Sequence, residues 1–275
     1  MSAESKTTLV LGGTGKTGRR VAERLLARGV PIRIGSRSAE PPFDWDDAAT
    51  WAPALRGVRA VYIAYAPDLA APGAADAIRA FTAQAVASGV GRLVLLSGRG
   101  EAEAAVSERT VRDSGVEWTV VRCSFFAQNF SEGAFVDSVL AGEIAMPGGN
   151  VAEPFVDADD VADVAVAALT EDGHAGKVYE LTGPRLLTFA QAAEEISKAS
   201  GRPVRYVPVA GDDYATLLVA QGVPAELAEF LTALFGEVLD GRNAHLSDGV
   251  QRALGRAPRD FADYARAAAA SGVWG

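Results

Sequence analysis

One cysteine, two histidines and four lysines among 275 residues exclude several chemistries at the outset. Cys123 has no partner for an internal disulfide, and with only His174 and His245 beside it there is no cluster at metal-ligand spacing, so no disulfide framework and no metal are expected. No run of about 18 apolar residues occurs, and the opening MSAESKTTLV lacks the charged, greasy, then cleavable order of a signal peptide. A cytoplasmic location with no membrane association is the expectation. The net charge of −9 would repel a phosphate backbone and no local basic patch offsets it, so no nucleic-acid partner is expected either. The oligomeric state is left open.

What is present is a large apolar fraction, 49%, enough for one large domain or a core with a smaller cap. The segment LVLGGTGKTGRR, residues 9–20, poses the first chemical question, because Gly15-Lys16-Thr17 ends like a triphosphate loop. Such a loop needs a glycine at position 10, which is Val10. Thr8-Leu9-Val10-Leu11 reads instead as a buried parallel strand running into Gly12, followed by a helix from Thr17 to Arg28 with Val21, Ala22, Leu25 and Leu26 on its apolar face. Gly29 and Pro31 end that helix. Within this strand-turn-helix, both Gly13-x-Gly15-x-x-Gly18 and Gly12-x-x-Gly15-x-x-Gly18 fit a dinucleotide fingerprint. It supplies a tight turn, a close backbone approach to a pyrophosphate and close packing of helix on strand.

The end of the second strand selects the dinucleotide. An acid there would hold a ribose 2′-hydroxyl, but PIRIGSRSAE places Ser36 and Arg37 at that position, which suits a 2′-phosphate and predicts NADP(H). Asp44 and Trp45, in the loop PPFDWDD, are candidates to meet the adenine. AVYIAYAP, from Ala60 to Pro67, reads as a strand whose end, Ala64, Tyr65 and Pro67, should lie under the nicotinamide side.

Beyond it, strands and helices alternate with short connections: a helix from Ala74 to Ser88 closed by Gly89, the strand RLVLLSG, a helix closed by Gly115, and the strand WTVVR. PFVDADDVADVAVAALT adds a short strand and an amphipathic helix with Val161, Val164, Ala165 and Ala168 on one face, and KVYELTG a last strand. This pattern predicts an α/β fold, a Rossmann-like doubly wound parallel sheet. From Pro184 onward it turns mainly helical, apart from VRYVPV. Residues 1–123 and 152–183 are therefore expected to form the dinucleotide-binding domain, and 124–151 with 184–275 a small, mainly helical substrate-binding cap.

The order of these motifs resembles the NmrA-like branch of the atypical short-chain dehydrogenases over nearly the whole chain. It rests on VLGGTGKTG, the strand-end Arg37, LLSG, SERTVRDSGVEWTVVRCSFFAQNF, EPFVDADDVADVAVAAL, VYELTGP and LTFAQAAEEISKASGRPVRYVPV. The opening motif and the tail RAPRDFADYARAAAASGVWG are most similar to bacterial relatives of the ergot-alkaloid, agroclavine-forming reductase. The resemblance implies that Gly12, Gly13, Thr14, Gly15, Lys16, Thr17 and Gly18 hold the pyrophosphate and Arg37 the 2′-phosphate. It puts Ser97, Gly98 and Arg99 near the ribose and nicotinamide, and Cys123 to Asn129 along the nicotinamide and substrate.

Most short-chain dehydrogenases use Tyr-x-x-x-Lys, in which the tyrosine protonates the developing alkoxide. None of the six tyrosines here has a lysine four places on, and no side chain is singled out as catalytic. A positioned acid supplies about 10² to 10⁴ in rate, so the expected acceptors are those that need no proton in the hydride step: an iminium ion, a quinone or another electrophilic aromatic. Phe125, Phe126 and Phe130 with Tyr65 would wall an apolar pocket, with Gln128, Asn129 and Arg99 as polar contacts. Cys123 reads as a small buried hydrophobe, His174 as part of a surface turn and His245 as one of the polar residues of the tail, and Asp157 and Asp160 as structural. A non-catalytic NADP(H)-binding redox sensor that regulates a partner protein would explain the missing pair equally well.

Overall fold

The computed structural model describes residues 7–133 and 135–275. The chain runs β1 (Thr7–Leu11), α1 (Lys16–Ala27), β2 (Ile32–Gly35), α2 (Trp51–Leu55), β3 (Val58–Ile63), α3 (Ala74–Ala87), β4 (Arg92–Gly98), α4 (Ala102–Arg112) and β5 (Glu117–Cys123). It continues through α5 (Val136–Leu140), β6 (Glu143–Met146), β7 (Ala152–Glu153), α6 (Ala158–Thr170), β8 (Lys177–Leu181), β9 (Leu187–Thr188) and α7 (Phe189–Ser200). β10 (Arg205–Pro208), α8 (Gly211–Ala220), α9 (Ala225–Val238), α10 (Gly249–Leu254) and α11 (Phe261–Ala270) complete it.

The main sheet has six strands in the order β2-β1-β3-β4-β5-β8, and each neighbouring pair is parallel. From β1 the chain goes one way to β2 and then returns past β1 to β3 on its other side. The topological switch, where a ligand crevice opens beyond the strand ends, therefore lies between β1 and β3. Both faces of the sheet are covered, as parallel strands require. On one face Val10, Tyr62, Val94 and Val121 pack under α1 and α6; on the other Leu9, Leu11, Leu93 and Leu95 pack with Trp51, Ile78 and Phe81.

A third core holds the cap together. It is aromatic, built on Phe130, Phe135, Phe155, Phe189, Phe261, Tyr264 and Trp274. The parallel pair β6–β10 joins the excursion after β5 to the carboxyl-terminal segment, and β7 pairs antiparallel with β9. Residues around α10 leave the cap, however: Val250 packs in the core under the main sheet, and Ser247 donates to the Glu180 carbonyl on edge strand β8.

Several local expectations are corrected. Leu26 is 59% exposed, because the buried stripe of α1 runs through Thr17, Gly18, Val21, Ala22 and Leu25 and leaves Leu26 on its flank. The strand expected from Ala60 to Pro67 is Val58–Ile63, so Ala64 to Pro67 form the loop beyond it. PFV makes no strand, only a single bridge between Phe126 and Val156. α6 is buried nearly all round, from Val164 to Leu169 without interruption, because α1, α10 and the sheet enclose it. His174 is buried, not in a surface turn: its Nδ1 shares a 2.8 Å hydrogen bond with the Tyr179 hydroxyl and its carbonyl accepts from Thr119.

Candidate active site

The loop between β1 and α1 has the shape that its glycines demand. Gly12 sits at φ +63°, and its carbonyl accepts from the Gly15 N–H at 2.8 Å, closing the turn. A Cβ on Gly18 would collide with the Gly12 carbonyl and stand 2.9 Å from the Gly13 Cα, which is backbone and cannot give. The fingerprint is thus satisfied by Gly12, Gly15 and Gly18, while Gly13 is tight against Ile34. No side chain caps α1 and no acid stands in its first turn, so its leading N–H groups are left for an external anion. Thr14 and Gly15 are exposed at that end. Thr17 is not: its hydroxyl accepts from Tyr62 at 3.0 Å and serves to seat the helix on β3.

Lys16 is the cation of the loop. Its ammonium donates to Asn129 Oδ1 and lies 5.8 Å from the centre of the Phe126 ring. Burial pushes its pKa down to about 8, against the raising effect of Glu132. One turn on, Arg20 grips Glu132 through two bonds of 2.9 and 2.5 Å, and Arg19 adds a third at 2.7 Å. The segment after β5 is thereby strapped onto the helix that would hold the pyrophosphate.

Arg37 is exposed and, among the described residues, has no ion pair or hydrogen-bond partner. It stands two residues past β2 with its guanidinium uncommitted, beside Ser36, whose hydroxyl shares a 3.3 Å contact with Ser38. Trp45 is half-buried in an aromatic cluster, 5.0 Å from Phe43, 5.3 Å from Phe81 and 4.9 Å from Tyr65. Asp44 supports the same loop, its carbonyl accepting from the Trp51 indole at 2.7 Å.

Beyond the ends of β3, β4 and β5 lies a cavity of about 250 Å³. Tyr65, Phe125, Phe126 and Phe235 supply flat apolar wall, and Pro67, Ser97, Gly98, Arg99, Cys123 and Asn129 also line it. The sequence reading thus reaches one cleft with most of its substrate-side residues. Gln128 and Phe130 are outside it. Gln128 is 2% exposed and both ends of its amide are used, donating to Asp157 and accepting from the Ala158 N–H, so it caps α6 instead of reaching a ligand. Phe130 belongs to the cap core. Asp157 caps the same helix, and Asp160 accepts from Arg259 and Arg256. Cys123 is buried with its thiol pushed far up by desolvation, and His245 lies on the exposed side near Glu180.

Ser97 faces the cavity but donates its hydroxyl to Glu108 at 2.7 Å; Glu108 also accepts two bonds from Arg122, at 2.9 and 2.5 Å. Arg99 is 4% exposed, with Nε on Glu180 at 2.8 Å and Nη1 on the Asn243 carbonyl at 2.9 Å, while its buried Nη2 has no partner. Asn243 in turn donates to the Arg99 carbonyl, so the segment after α9 clasps the loop after β4.

The sequence reading missed three carboxyls in this cavity, Asp68, Glu101 and Glu153. Burial, with the charges of Asp68 and Glu237, raises Glu101 to about 8. Burial raises Glu153 to about 7 against the opposing charge of Arg99. They come from the loops after β3 and β4 and from β7, and only folding brings them together. A local signal existed for one: Glu101 follows Gly98 and Gly100, and a Cβ on Gly98 would occupy the place of the Glu101 carboxyl.

Among the described residues no helix is long and apolar enough to cross a membrane, and no group of three His, Cys, Asp or Glu residues is placed to hold a metal. Residues 12–172 match the NAD(P)H-binding family and residues 102–265 the NmrA-like family. The chain is 32% identical to an NAD(P)H azoreductase of Xenophilus azovorans, covering 96% of this chain and 98% of the relative. It is 33% identical to the agroclavine dehydrogenase of Claviceps fusiformis, covering 94% and 96%. Among solved structures, the triphenylmethane reductase of Citrobacter sp. complexed with NADP(H) superposes with a TM-score of 0.77 at 22% identity, covering 95% of this chain and 99% of that one, a likeness of fold. With its glycine loop, switch-point crevice and strand order in place, the chain belongs to the NmrA-like family and is an NAD(P)H-dependent oxidoreductase with a Rossmann-like core.

Proposed function

We propose that this oxidoreductase uses NADPH to reduce an electrophilic aromatic, quinone or iminium-type small molecule bound in the cavity beyond β3, β4 and β5. The observation that carries this reading is the cavity wall itself: Tyr65, Phe125, Phe126 and Phe235 offer flat apolar faces beside the crevice at the sheet's switch point. The relatives named for azo reduction and for agroclavine dehydrogenation support a small-molecule acceptor.

The glycine loop fits a dinucleotide, since no Cβ at Gly18 could be accommodated and the α1 terminus is uncapped. Gly12 to Gly18 with Lys16 would hold the pyrophosphate, and Ser36 with Arg37 the 2′-phosphate that separates NADPH from NADH. Asp44 and Trp45 would meet the adenine, while Ala64, Tyr65, Pro67, Ser97 and Gly98 would border the ribose and nicotinamide. When bound, the coenzyme supplies a hydride from C4. The side chains contribute positioning: Phe125, Phe126 and Tyr65 orient a flat acceptor and exclude water, with Cys123, Asn129 and the spare Nη2 of Arg99 at its polar edge. The helix after β4, Ala102–Arg112, contains neither tyrosine nor lysine, so the usual acid pair has no counterpart there.

The test is to mix the protein and NADPH with menadione, a cationic triphenylmethane dye and a cyclic iminium, and to follow the nicotinamide absorbance. Consumption with at least one acceptor is expected. Tight NADPH binding with none turned over would replace this reading with that of a redox sensor acting on a partner protein.

A further inference from the structure

The missing tyrosine does not leave the cavity without a proton. Asp68 and Glu101 line the same cavity, and their side chains interact with each other there. With both ionised there is no donor between them, and Glu101 Oε2, buried, has no partner at all. One shared proton turns the contact into a hydrogen bond. Burial raises both carboxyls, but Asp68 also accepts the Ala70 N–H at 2.8 Å, which favours its charged form, so the shared proton rests on Glu101. The carboxyl lies directly over the Gly98 Cα, in the space that a Cβ there would take, at the carboxyl end of β4.

Resting on the reductase reading above, we propose that the Glu101 carboxyl is the proton donor of this site, serving quinone-class acceptors whose oxygen becomes electron rich as hydride arrives. The hydride forms a C–H bond at a ring carbon conjugated with a carbonyl, and the displaced π electrons collect on that oxygen. The Glu101 O–H bond then breaks as a new O–H bond forms on the acceptor, leaving a Glu101 carboxylate. The nicotinamide is oxidised and the acceptor reduced by two electrons; water reprotonates Glu101 after the product leaves. The groups that face Glu101 keep this cycle poised. Asp68 from the loop after β3, Glu108 from α4 and Glu237 from α9 all disfavour its charge. Glu153 from β7 and the neutral Cys123 from β5 also line the cavity, and the cations beside the Glu101 loop are already engaged: Arg99 with Glu180, Arg122 with Glu108, and Arg242 with Glu237 and Asp240, while His245 lies near Glu180. Burial and these neighbours hold Glu101 protonated up to about pH 8, which is where a donor working near neutrality belongs.

The experiment compares wild type with Glu101→Gln, Asp68→Asn and, as a control, the exposed α4 change Glu103→Gln. The first readout is the infrared carboxyl band of the protein alone: a protonated-carboxyl component that titrates near 8, above that of Glu153 near 7, is expected in wild type and Glu103→Gln and absent in Glu101→Gln. The second is the ratio of menadione to cationic-dye reduction with NADPH. The dye carbon needs no proton to become neutral, so the ratio should fall by about 10²-fold or more in Glu101→Gln, the range of a positioned acid. In Asp68→Asn the ratio should fall off at lower pH, because a like charge has gone. An unchanged ratio in a folded, NADPH-binding Glu101→Gln protein, or no wild-type carboxyl component titrating near 8 that Glu101→Gln removes, overturns the proposal and leaves the reductase reading standing. Failure of wild type to reduce menadione, the dye and the cyclic iminium alike overturns both.

Discussion

The ammonium of Lys16, at the end of the glycine-rich turn between β1 and α1, donates to the side-chain oxygen of Asn129, 113 residues further along the chain. This bond joins the crevice that would hold the coenzyme to the segment that walls the cavity, with Phe126 lying against the same cation. It also leaves Lys16 poorly solvated, with its pKa lowered to about 8 by burial.

A pH dependence of coenzyme binding follows. A cation is needed beside a pyrophosphate, and Lys16 loses its proton as pH rises through about 8, so NADPH affinity should decline above that point. Lys16→Met should remove this decline and weaken NADPH by about tenfold or more, the worth of one charge-assisted hydrogen bond. Fluorescence titrations between pH 6.5 and 9.5 read both effects; a Lys16→Met protein with the wild-type profile would take Lys16 out of the phosphate site.

Arg37 tests coenzyme choice. Its guanidinium is exposed and uncommitted, so Arg37→Ala should leave the melting temperature unchanged. NADPH binding should weaken by about 10- to 100-fold with little change for NADH, because only NADPH carries the phosphate. Equal weakening of the two in parallel titrations would remove Arg37 from that role.

Two glycine changes separate close approach from backbone conformation. Gly18→Ala forces a Cβ into the Gly12 carbonyl, so it should lower stability by several kcal/mol and abolish NADPH binding. Gly29→Ala has open space around it and pays only for its left-handed φ of +70°, about 1 kcal/mol. Thermal melts of the two proteins should rank in that order.

The parts of this molecule that were legible in the sequence are those whose chemistry is local. Gly12, Gly15 and Gly18 announce a close approach by spacing alone, β4 is read in full from RLVLLSG, and the aromatic run at Phe125 and Phe126 does border the cavity. Gln128 misleads because a polar residue among aromatics looks like a ligand contact, while its partners, Asp157 and Ala158, are 29 and 30 residues away in sequence. Asp68, Glu101 and Glu153 are invisible for the same reason. Each is an ordinary surface residue by type, and its altered proton affinity comes from burial that only the tertiary fold provides.

Glu101 should also leave a mark on stability. Its folded pKa, about 8, lies above the ordinary carboxylate value of 4.5, so the folded chain holds a proton that the unfolded chain releases. That contribution is fully present below about pH 4.5 and is lost as pH rises through 8. Glu101→Gln, neutral at every pH, should therefore flatten the decline in melting temperature between pH 5 and 8. A decline as steep as that of wild type would show that another group carries it.

Glu108 connects this proton to the framework. Its carboxylate, 3% exposed, accepts from Ser97 and twice from Arg122, tying α4 to the ends of β4 and β5. Glu108→Ala leaves the Ser97 hydroxyl without its acceptor and Arg122, which is partly solvated, with only its 3.4 Å contact to Glu180, a loss of about 1–3 kcal/mol. Glu108→Gln keeps the volume and one acceptor and should be milder, so it is the variant for a functional test. Removing the Glu108 charge removes one of the repulsions that raise Glu101, so the carboxylate of Glu101 becomes easier to form. The pH at which menadione reduction falls off should then move below its wild-type value near 8, while the pH dependence of dye reduction stays as it was. A pH–rate profile of Glu108→Gln that coincides with wild type for both acceptors would show that Glu108 acts only on the fold.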